Sequence, residues 1–546
     1  MTHPNPSTAL ARVVVDQLAV EGVQVVVVSP GSRSGALAIA AAEHPELRAR
    51  VVIDERSAAF HALGVARAGG RPAAVLCTSG TAAANFFPAV VEADLSCVPL
   101  IAMSADRPVE MRGVGSNQTI DQIDLYGSKV RRFADIPAPG AERDLNQEWR
   151  RVVQTSVMAA TGSRPGPVHL NVAFREPTVP ATDDGRISED EYPFETPRID
   201  VARRPEQTAG GDPLPEIEGG RGLIIAGDGQ YDRPRLLEQA ASLGWPVLAT
   251  ALSGARGEGV ITAYHHLLAQ GVPDGLVPDV VVAVGAIGPS SRLEHLVAAA
   301  AMRVRIDRWG RVVDPFRNAH HILTGDVNEL LHRARGSAEP DWAEAWRSAD
   351  EGMRQKLRAT VMDLPAMTGA HVAMALDAVS WGSLVVASSL PIREADAHLT
   401  RPGPVHANRG ASGIDGFVST ALGIASVVPR TVALAGDISL IHDSNGFVGE
   451  IDMDLCVVVV DNGGGGLFDD LPQATLAPQY ERLFVTPPRR DLAKLADLHG
   501  LEFHEVDDPT VLPTVISRAL DEGGLTLIRV PVDREHDRAA RAQLDG

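Results

Sequence analysis

The chain has 546 residues, 45% hydrophobic and 22% charged, the balance of an ordinary soluble protein with room for about three domains. Its formal charge of −20 argues against nucleic acid and anionic membrane surfaces as partners. No apolar run approaches the roughly 20 residues that span a bilayer, and the start MTHPNPSTALARVVVDQL lacks a basic segment followed by an apolar core, so a cytoplasmic location is expected. Cys77, Cys97 and Cys456 sit in or beside apolar runs without paired spacing and read as small core residues in a reducing compartment.

Residues 1–182 alternate strand and helix patterns: VQVVVVSPGSRS, RVVIDERSAAFHALGVARA, AAVLCTSGTAAANFFPAVVEA, VPLIAMSADRP and PVHLNVAF. Each β-rich run ends in Ser, Gly, Asp or Glu before a helical period begins, the rhythm of a parallel sheet flanked by helices. In the first run, Ser29 to Arg33 stand between a buried strand and a helix, where helix N–H groups and a guanidinium suit an anion; the alternative is a capped helix with a solvated arginine. Glu55 marks the next strand-to-helix switch, a place where a carboxylate is usually a helix N-terminal charge. The stretch SADRPVEMRGVGSNQTIDQ puts Arg107, Asn117 and Gln118 on a glycine-broken loop of the kind that carries function.

Residues 183–220 are acidic and rich in Pro and Gly, and read as a linker. A second α/β block over 221–345 holds RGLIIAGDGQ, WPVLATALSG, DVVVAVGAIG and MRVRIDRWG. Its Gly227-Asp228-Gly229 follows a strand but lacks a later Asn with a glycine run, so it reads as an ordinary turn. A charged helical connection leads into a third block within 346–546, where SSLPIREAD and HANRGASGIDG add Ser389, Arg393 and Arg409 beyond apolar strands. Then VALAGDISLIHDSNG and LCVVVVDNGGGGLF end two strands at Asp437 and, 25 residues on, at Asn462. That spacing fits a strand end, a crossover and a parallel neighbour, which brings both side chains to one sheet edge. Two oxygen ligands and a backbone carbonyl suit Mg²⁺; the alternative is a helix cap followed by a glycine loop.

Together SPGSRS, IDERSAAF, TSGTAAAN, SADRP, SNQT, NRGASGIDG and GDISLIHDSNG…DNGGGGLF resemble the thiamine-diphosphate enzymes. Within them the set resembles the menaquinone-pathway synthases that add 2-oxoglutarate to isochorismate with loss of CO₂. The resemblance covers the whole chain and implies an α/β, three-domain architecture: pyrimidine-binding, central and diphosphate-binding domains. It implies a transferase that uses thiamine diphosphate with Mg²⁺ or Mn²⁺, and works as a homodimer or dimer of dimers. Glu55 is implied to contact the cofactor's aminopyrimidine. Asp437, Asn462 and the Gly464 carbonyl are implied to hold the metal.

Further cofactor contacts implied in the same way are Pro30, Gly31 and Thr81, then Gly413 and Ile414, then Gly436, Ile438, Ser439, Gly465 and Leu467. Ser389 and Arg393 resemble the 2-oxoglutarate side. Ser32, Arg33, Arg107, Asn117, Gln118 and Arg292 resemble the isochorismate side, with Arg409 between. Catalysis is implied for Glu55 with Arg33, Gln118, Ser389, Arg393 and Arg409. Two dicarboxylate substrates account for arginines at strand ends in so acidic a chain. Departures are Ile438 where glycine is usual, Asp461-Asn462 where Asn-Asn is usual, and Ser291 where a lysine is often found.

Three alternatives compete. An acetolactate-synthase-like carboligase or decarboxylase would take pyruvate. A dinucleotide dehydrogenase lacks its G-x-G-x-x-G at a strand-to-helix turn here. A non-catalytic scaffold would not need Glu55 together with Asp437 and Asn462, although fold alone never establishes activity.

Overall fold

Runs of valine, leucine and alanine build strands that are buried on both faces, as parallel sheets with helices on each side require. In the first sheet these are β1 (Val25–Val28), β2 (Arg48–Val51), β3 (Ala73–Cys77), β4 (Leu100–Asp106), β5 (Phe133–Ile136) and β6 (Val168–Ala173). All are parallel, in the order β2-β1-β3-β4-β6-β5. The period of two is visible in the packing: Val26 and Val28 enter one core with Leu76, Met103 and Leu170. Val25 and Val27 enter the other with Val75, Cys77 and Ala102. The edge strand β2, RARV, is half-exposed and carries two arginines, which discourage further pairing at that edge.

This computed structural model describes residues 5–140, 145–179, 220–288, 290–311, 313–334, 339–449, 452–476 and 478–546. The linker expected at 183–220 lies outside the described residues apart from Gly220. The middle sheet consists of β7 (Gly222–Ala226), β8 (Val247–Ala249), β9 (Val280–Val284), β10 (Met302–Asp307) and β11 (His321–Thr324), in the order β11-β10-β9-β7-β8. At its edge, the Asp228 backbone bridges to Ala286 and its carbonyl accepts from Arg311 at 2.5 Å. The Gly227-Asp228-Gly229 stretch is therefore a closed turn with its acid paired.

The third sheet is β12 (Ser383–Val386), β13 (Val405–His406), β14 (Thr431–Gly436), β15 (Leu455–Asp461), β16 (Glu502–Glu505) and β17 (Leu525–Pro531). Its order, β13-β12-β14-β15-β17-β16, repeats that of the first sheet strand for strand. In both, the order reverses beside the first strand, between β1 and β3 and between β12 and β14. Ligands of open parallel sheets bind outside the carboxyl ends of strands at such reversals.

Packing divides the chain differently from chain order. One compact unit holds the first sheet together with Asn408–Val428 and His442–Met453; the other holds the middle and third sheets. Within the first unit, the helix Phe417–Ala425 crosses the helix Glu55–Gly69 at Gly423 and Gly64. A Cβ on Gly423 would lie 2.1 Å from the His61 carbonyl oxygen, and one on Gly64 would lie 2.2 Å from that of Thr420. Backbone meets backbone there, so neither position admits a side chain. The three cysteines are free and buried, and among the described residues no helix is long and apolar enough to cross a membrane.

Candidate active site

In the first unit, the carboxyl ends of β1, β3 and β4 converge. Gly31 sits so close to Thr78 that a Cβ would come within 2.3 Å of that side chain, which lets the two strand-end loops meet. Pro30 and Ser32 beside it are exposed. Arg33 is mostly buried, donates to the Phe174 carbonyl at 3.0 Å and pairs with Glu176 at 3.1 Å. Arg107 donates to Ser79 Oγ at 2.7 Å and to the Asn117 carbonyl at 2.8 Å. Burial, with Arg33 nearby, holds the Arg107 guanidinium below its ordinary range. Gln118 adopts φ +52°, a left-handed conformation rare outside glycine, and its carbonyl accepts from Ser79 Oγ at 2.9 Å. Arg33, Arg107, Asn117 and Gln118 thus share one loop cluster, and Thr81 opens the short helix Thr81–Asn85 beside it.

Glu55 is the first residue of its helix, after the cap Asp54, whose carboxylate accepts from the Ser57 N–H at 3.2 Å. Asn445 donates to that same carboxylate at 2.9 Å. Glu55 lines an open cleft of about 320 Å³ with Asp54, Arg56, Asn85 and Asn445. Arg56 donates to the His442 carbonyl at 3.1 Å and lies 3.5 Å from Asp443, whose buried carboxyl is pushed up to about 6 by desolvation. Gly413 and Ile414 are half-buried in the loop before the helix Phe417–Ala425. The Arg409 loop is clamped by Glu92, whose Oε1 accepts from Gly410 N–H at 3.0 Å and Oε2 from Ala411 N–H at 2.7 Å.

In the second unit, the turn after β12 delivers Ser389, which takes φ +80° and caps the helix Leu390–His398. Arg393, one turn on, donates to the Ser389 carbonyl at 2.6 Å, and burial lowers its pKa. On the other side of the order reversal, β14 delivers Gly436 and Asp437, and its neighbour β15 delivers Asp461 and Asn462. The Asp437 Oδ1 accepts from Ile438 N–H at 2.8 Å, while Oδ2 is buried with no hydrogen-bond partner. Burial pushes this carboxyl up to about 7. Gly464 has φ +135°, and a Cβ there would meet the Val485 carbonyl at 2.3 Å; one on Gly465 would meet that of Phe484 at 2.5 Å. Leu467 follows in the turn Gly466–Asp470.

A family model for the thiamine pyrophosphate enzyme N-terminal TPP binding domain matches residues 8–125, one for the middle domain 194–383, and one for the C-terminal TPP binding domain 394–530. A 2-succinyl-5-enolpyruvyl-6-hydroxy-3-cyclohexene-1-carboxylate synthase of Thermobifida fusca (strain YX) is 42% identical, over 99% of this chain and 98% of its own length. Synthases of the same name from Rubrobacter xylanophilus and Halorubrum lacusprofundi are 39% and 36% identical, covering 99% and 100% of this chain and 98% of each relative. The chain belongs to this synthase family of thiamine pyrophosphate enzymes.

For a member of the family, the second unit presents a fitting cradle for a cation bound to a diphosphate. Asp437 Oδ2 has no hydrogen-bond partner, and backbone comes close enough at Gly464 and Gly465 to exclude side chains. Among the described residues no three His, Cys, Asp or Glu side chains form a metal cluster, and the donors that could hold a cation here are one acid with amide and carbonyl oxygens, the hard donors Mg²⁺ prefers. The departure at Asp461 is neutralised within the fold, because Arg529 donates to its Oδ2 at 2.6 Å. Ile438 is half-buried and Ser439 buried in the turn of helix after Asp437.

Arg292, implied to lie on the isochorismate side, has protein partners here. Its guanidinium forks onto Asp545 at 2.8 and 2.5 Å and donates to the His265 carbonyl at 2.6 Å, so it is engaged within the second unit. Sequence reasoning also missed Glu92, Asp443 and Asn445. Glu92 lies in AVVEADLS as one acid of a helix, and nothing local distinguishes it from a solvated one.

Proposed function

We propose that this protein joins 2-oxoglutarate to isochorismate with loss of CO₂, giving 2-succinyl-5-enolpyruvyl-6-hydroxy-3-cyclohexene-1-carboxylate in menaquinone biosynthesis. The observation that carries the reading is Asp437, a buried carboxylate with a free oxygen at a sheet reversal, next to Asn462 and a glycine cradle. Asp437, Asn462 and the Gly464 carbonyl would hold Mg²⁺ or Mn²⁺, and Gly436, Ile438, Ser439, Gly465 and Leu467 would frame the diphosphate. Thiamine diphosphate, when bound, supplies the carbon that attacks a keto group and the electron sink for decarboxylation. Glu55 would share a proton with the cofactor's pyrimidine ring, with Pro30, Gly31, Thr81, Gly413 and Ile414 as further contacts. On this reading, residues 1–182, 221–345 and 346–546 are the pyrimidine-binding, central and diphosphate-binding domains of a cytoplasmic enzyme. The minimum unit is a homodimer in which Glu55 of one subunit serves its partner's diphosphate half.

Arg393 and Ser389 would take the distal carboxylate of 2-oxoglutarate. Left unpaired in a buried pocket, that charge would cost several kcal/mol. Ser32, Arg33, Arg107, Asn117 and Gln118 would take the carboxylates of isochorismate, with Arg409 between the two substrates. Arg292 would join them only by exchanging Asp545 for substrate.

The test supplies thiamine diphosphate, Mg²⁺ and isochorismate with either 2-oxoglutarate or pyruvate, and follows CO₂ and the adduct by mass. Preference for pyruvate would hand the reading to an acetolactate-synthase-like activity. One charge-assisted hydrogen bond is worth about 1.5–3 kcal/mol, so Arg393→Leu should raise the KM for 2-oxoglutarate roughly 10- to 100-fold and leave cofactor binding intact. An unaltered KM would remove Arg393 from the pocket without touching the overall reaction.

A further inference from the structure

A buried amide in the first unit has no part in the reading above. Gln122 is 1% exposed, and both ends of its side chain are used. Its Oε1 accepts from Gly80 N–H at 3.0 Å, while Nε2 donates to the Ala105 carbonyl at 3.2 Å and to Asn171 Oδ1 at 2.8 Å. One side chain therefore ties together the loop after β3, the end of β4 and the loop that carries Asn117 and Gln118. Asn171 is fixed in turn, because its Nδ2 donates to Asp106 at 2.9 Å and to Asp135 at 2.8 Å. Two carboxylates on one side of the Asn171 amide call for its NH₂ there, which leaves Oδ1 to accept from Gln122 and from Ser104 at 2.8 Å.

The tied loops hold Gln118 in a conformation it would not adopt alone. Its φ of +52° lies in the left-handed region, and Gly80 packs beneath it at φ +88°, where a Cβ would approach the Gln118 side chain to 3.1 Å. Ser79, adjacent to the Gly80 peptide that Gln122 clamps, donates to the Gln118 carbonyl and accepts from Arg107. A left-handed glutamine persists only where its surroundings over-determine it, and such residues gather at binding sites.

We propose that Gln122 is the positioning residue of the acceptor pocket, acting through Gly80 and Ser79 to hold Gln118 and Asn117 in their binding conformation. This rests on the reading that Arg107, Asn117 and Gln118 face isochorismate. Neither Ser389 nor Arg393 belongs to the network, so its loss acts on the acceptor and spares the donor.

Gln122→Leu removes all three hydrogen bonds, and Ser79→Ala cuts the tether to Gln118 while leaving the Gln122 amide in place. Both should raise the KM for isochorismate roughly 10- to 100-fold, the scale of loss when a bound group is misplaced by about an ångström. The KM for 2-oxoglutarate, and CO₂ release from 2-oxoglutarate without acceptor, should stay within about threefold of wild type. Equal rises in both KM values overturn the proposal, since they mark a general structural defect, and so does a fall in kcat alone, since it leaves acceptor binding untouched. Should Gln122→Leu fail to fold, an unchanged isochorismate KM in Ser79→Ala overturns it by itself. A wild-type protein that does not turn over 2-oxoglutarate with isochorismate is a separate result, which removes the functional reading and this inference with it.

Discussion

Glu92 is 2% exposed and accepts four hydrogen bonds within one unit: Arg67 at 3.0 Å, Ser96 on its own helix at 2.6 Å, and the backbone N–H groups of Gly410 and Ala411. It should fasten the Arg409 loop more than any other side chain named above. Replacement by alanine removes one partner of a buried ion pair and leaves two backbone donors without their acceptor. Breaking a buried pair costs about 3–5 kcal/mol, and partial water access to the loop places Glu92→Ala near the lower end. Glutamine does not rescue fully. With its oxygen toward Gly410, Arg67 and Ser96, its NH₂ group faces the Ala411 N–H, donor against donor, at a cost of about 1–3 kcal/mol. A chain of two compact units need not unfold in one step, so a local probe is the better assay. Amide hydrogen exchange at Gly410 and Ala411 should accelerate by roughly 100-fold in the alanine variant and less in the glutamine variant. Wild-type exchange at both amides would refute the clamp.

Asp437→Ala should weaken thiamine diphosphate binding in the presence of Mg²⁺ by at least roughly 100-fold, with melting little changed, as calorimetric titration will show; unchanged affinity would sink the metal assignment. Gly423→Ala drives a Cβ into the His61 carbonyl and should destabilise by about 3 kcal/mol, whereas Gly69→Ala, with open space around it, should not; equal thermal shifts would contradict the close crossing. Burial pushes His61 and His169 down to about 3, below the ordinary histidine value of 6.5. Their neutral folded forms therefore contribute stability above about pH 6.5, and it is lost as pH falls toward 3, by about 1.4 kcal/mol per pH unit for each group. Denaturant titrations from pH 7 to 5 in wild type and His169→Asn should show a shallower slope in the variant, and identical slopes would refute the assignment for His169.

The strands and their polar ends were legible in the sequence because local pattern reports burial. VVVV at 25–28 and LCVVVV at 455–460 are apolar throughout, since both faces of each strand are covered, and the polar residue that follows each run marks the carboxyl end of the apolar strand. Asp437 and Asn462 were readable for the same reason, their spacing being that of two neighbouring parallel strands. Tertiary structure alone decided which groups answer one another. The shared strand order of the first and third sheets, the packing of Asn408–Val428 with the first sheet, and the capture of Arg292 by Asp545 join residues far apart in the chain. Glu92 and Gln122 belong to the same class: each is a single polar residue in an otherwise ordinary segment, and only its distant partners give it a role. Burial leaves a period in the chain because every turn of helix or step of strand repeats it, whereas a hydrogen bond across 40 or 300 residues leaves none.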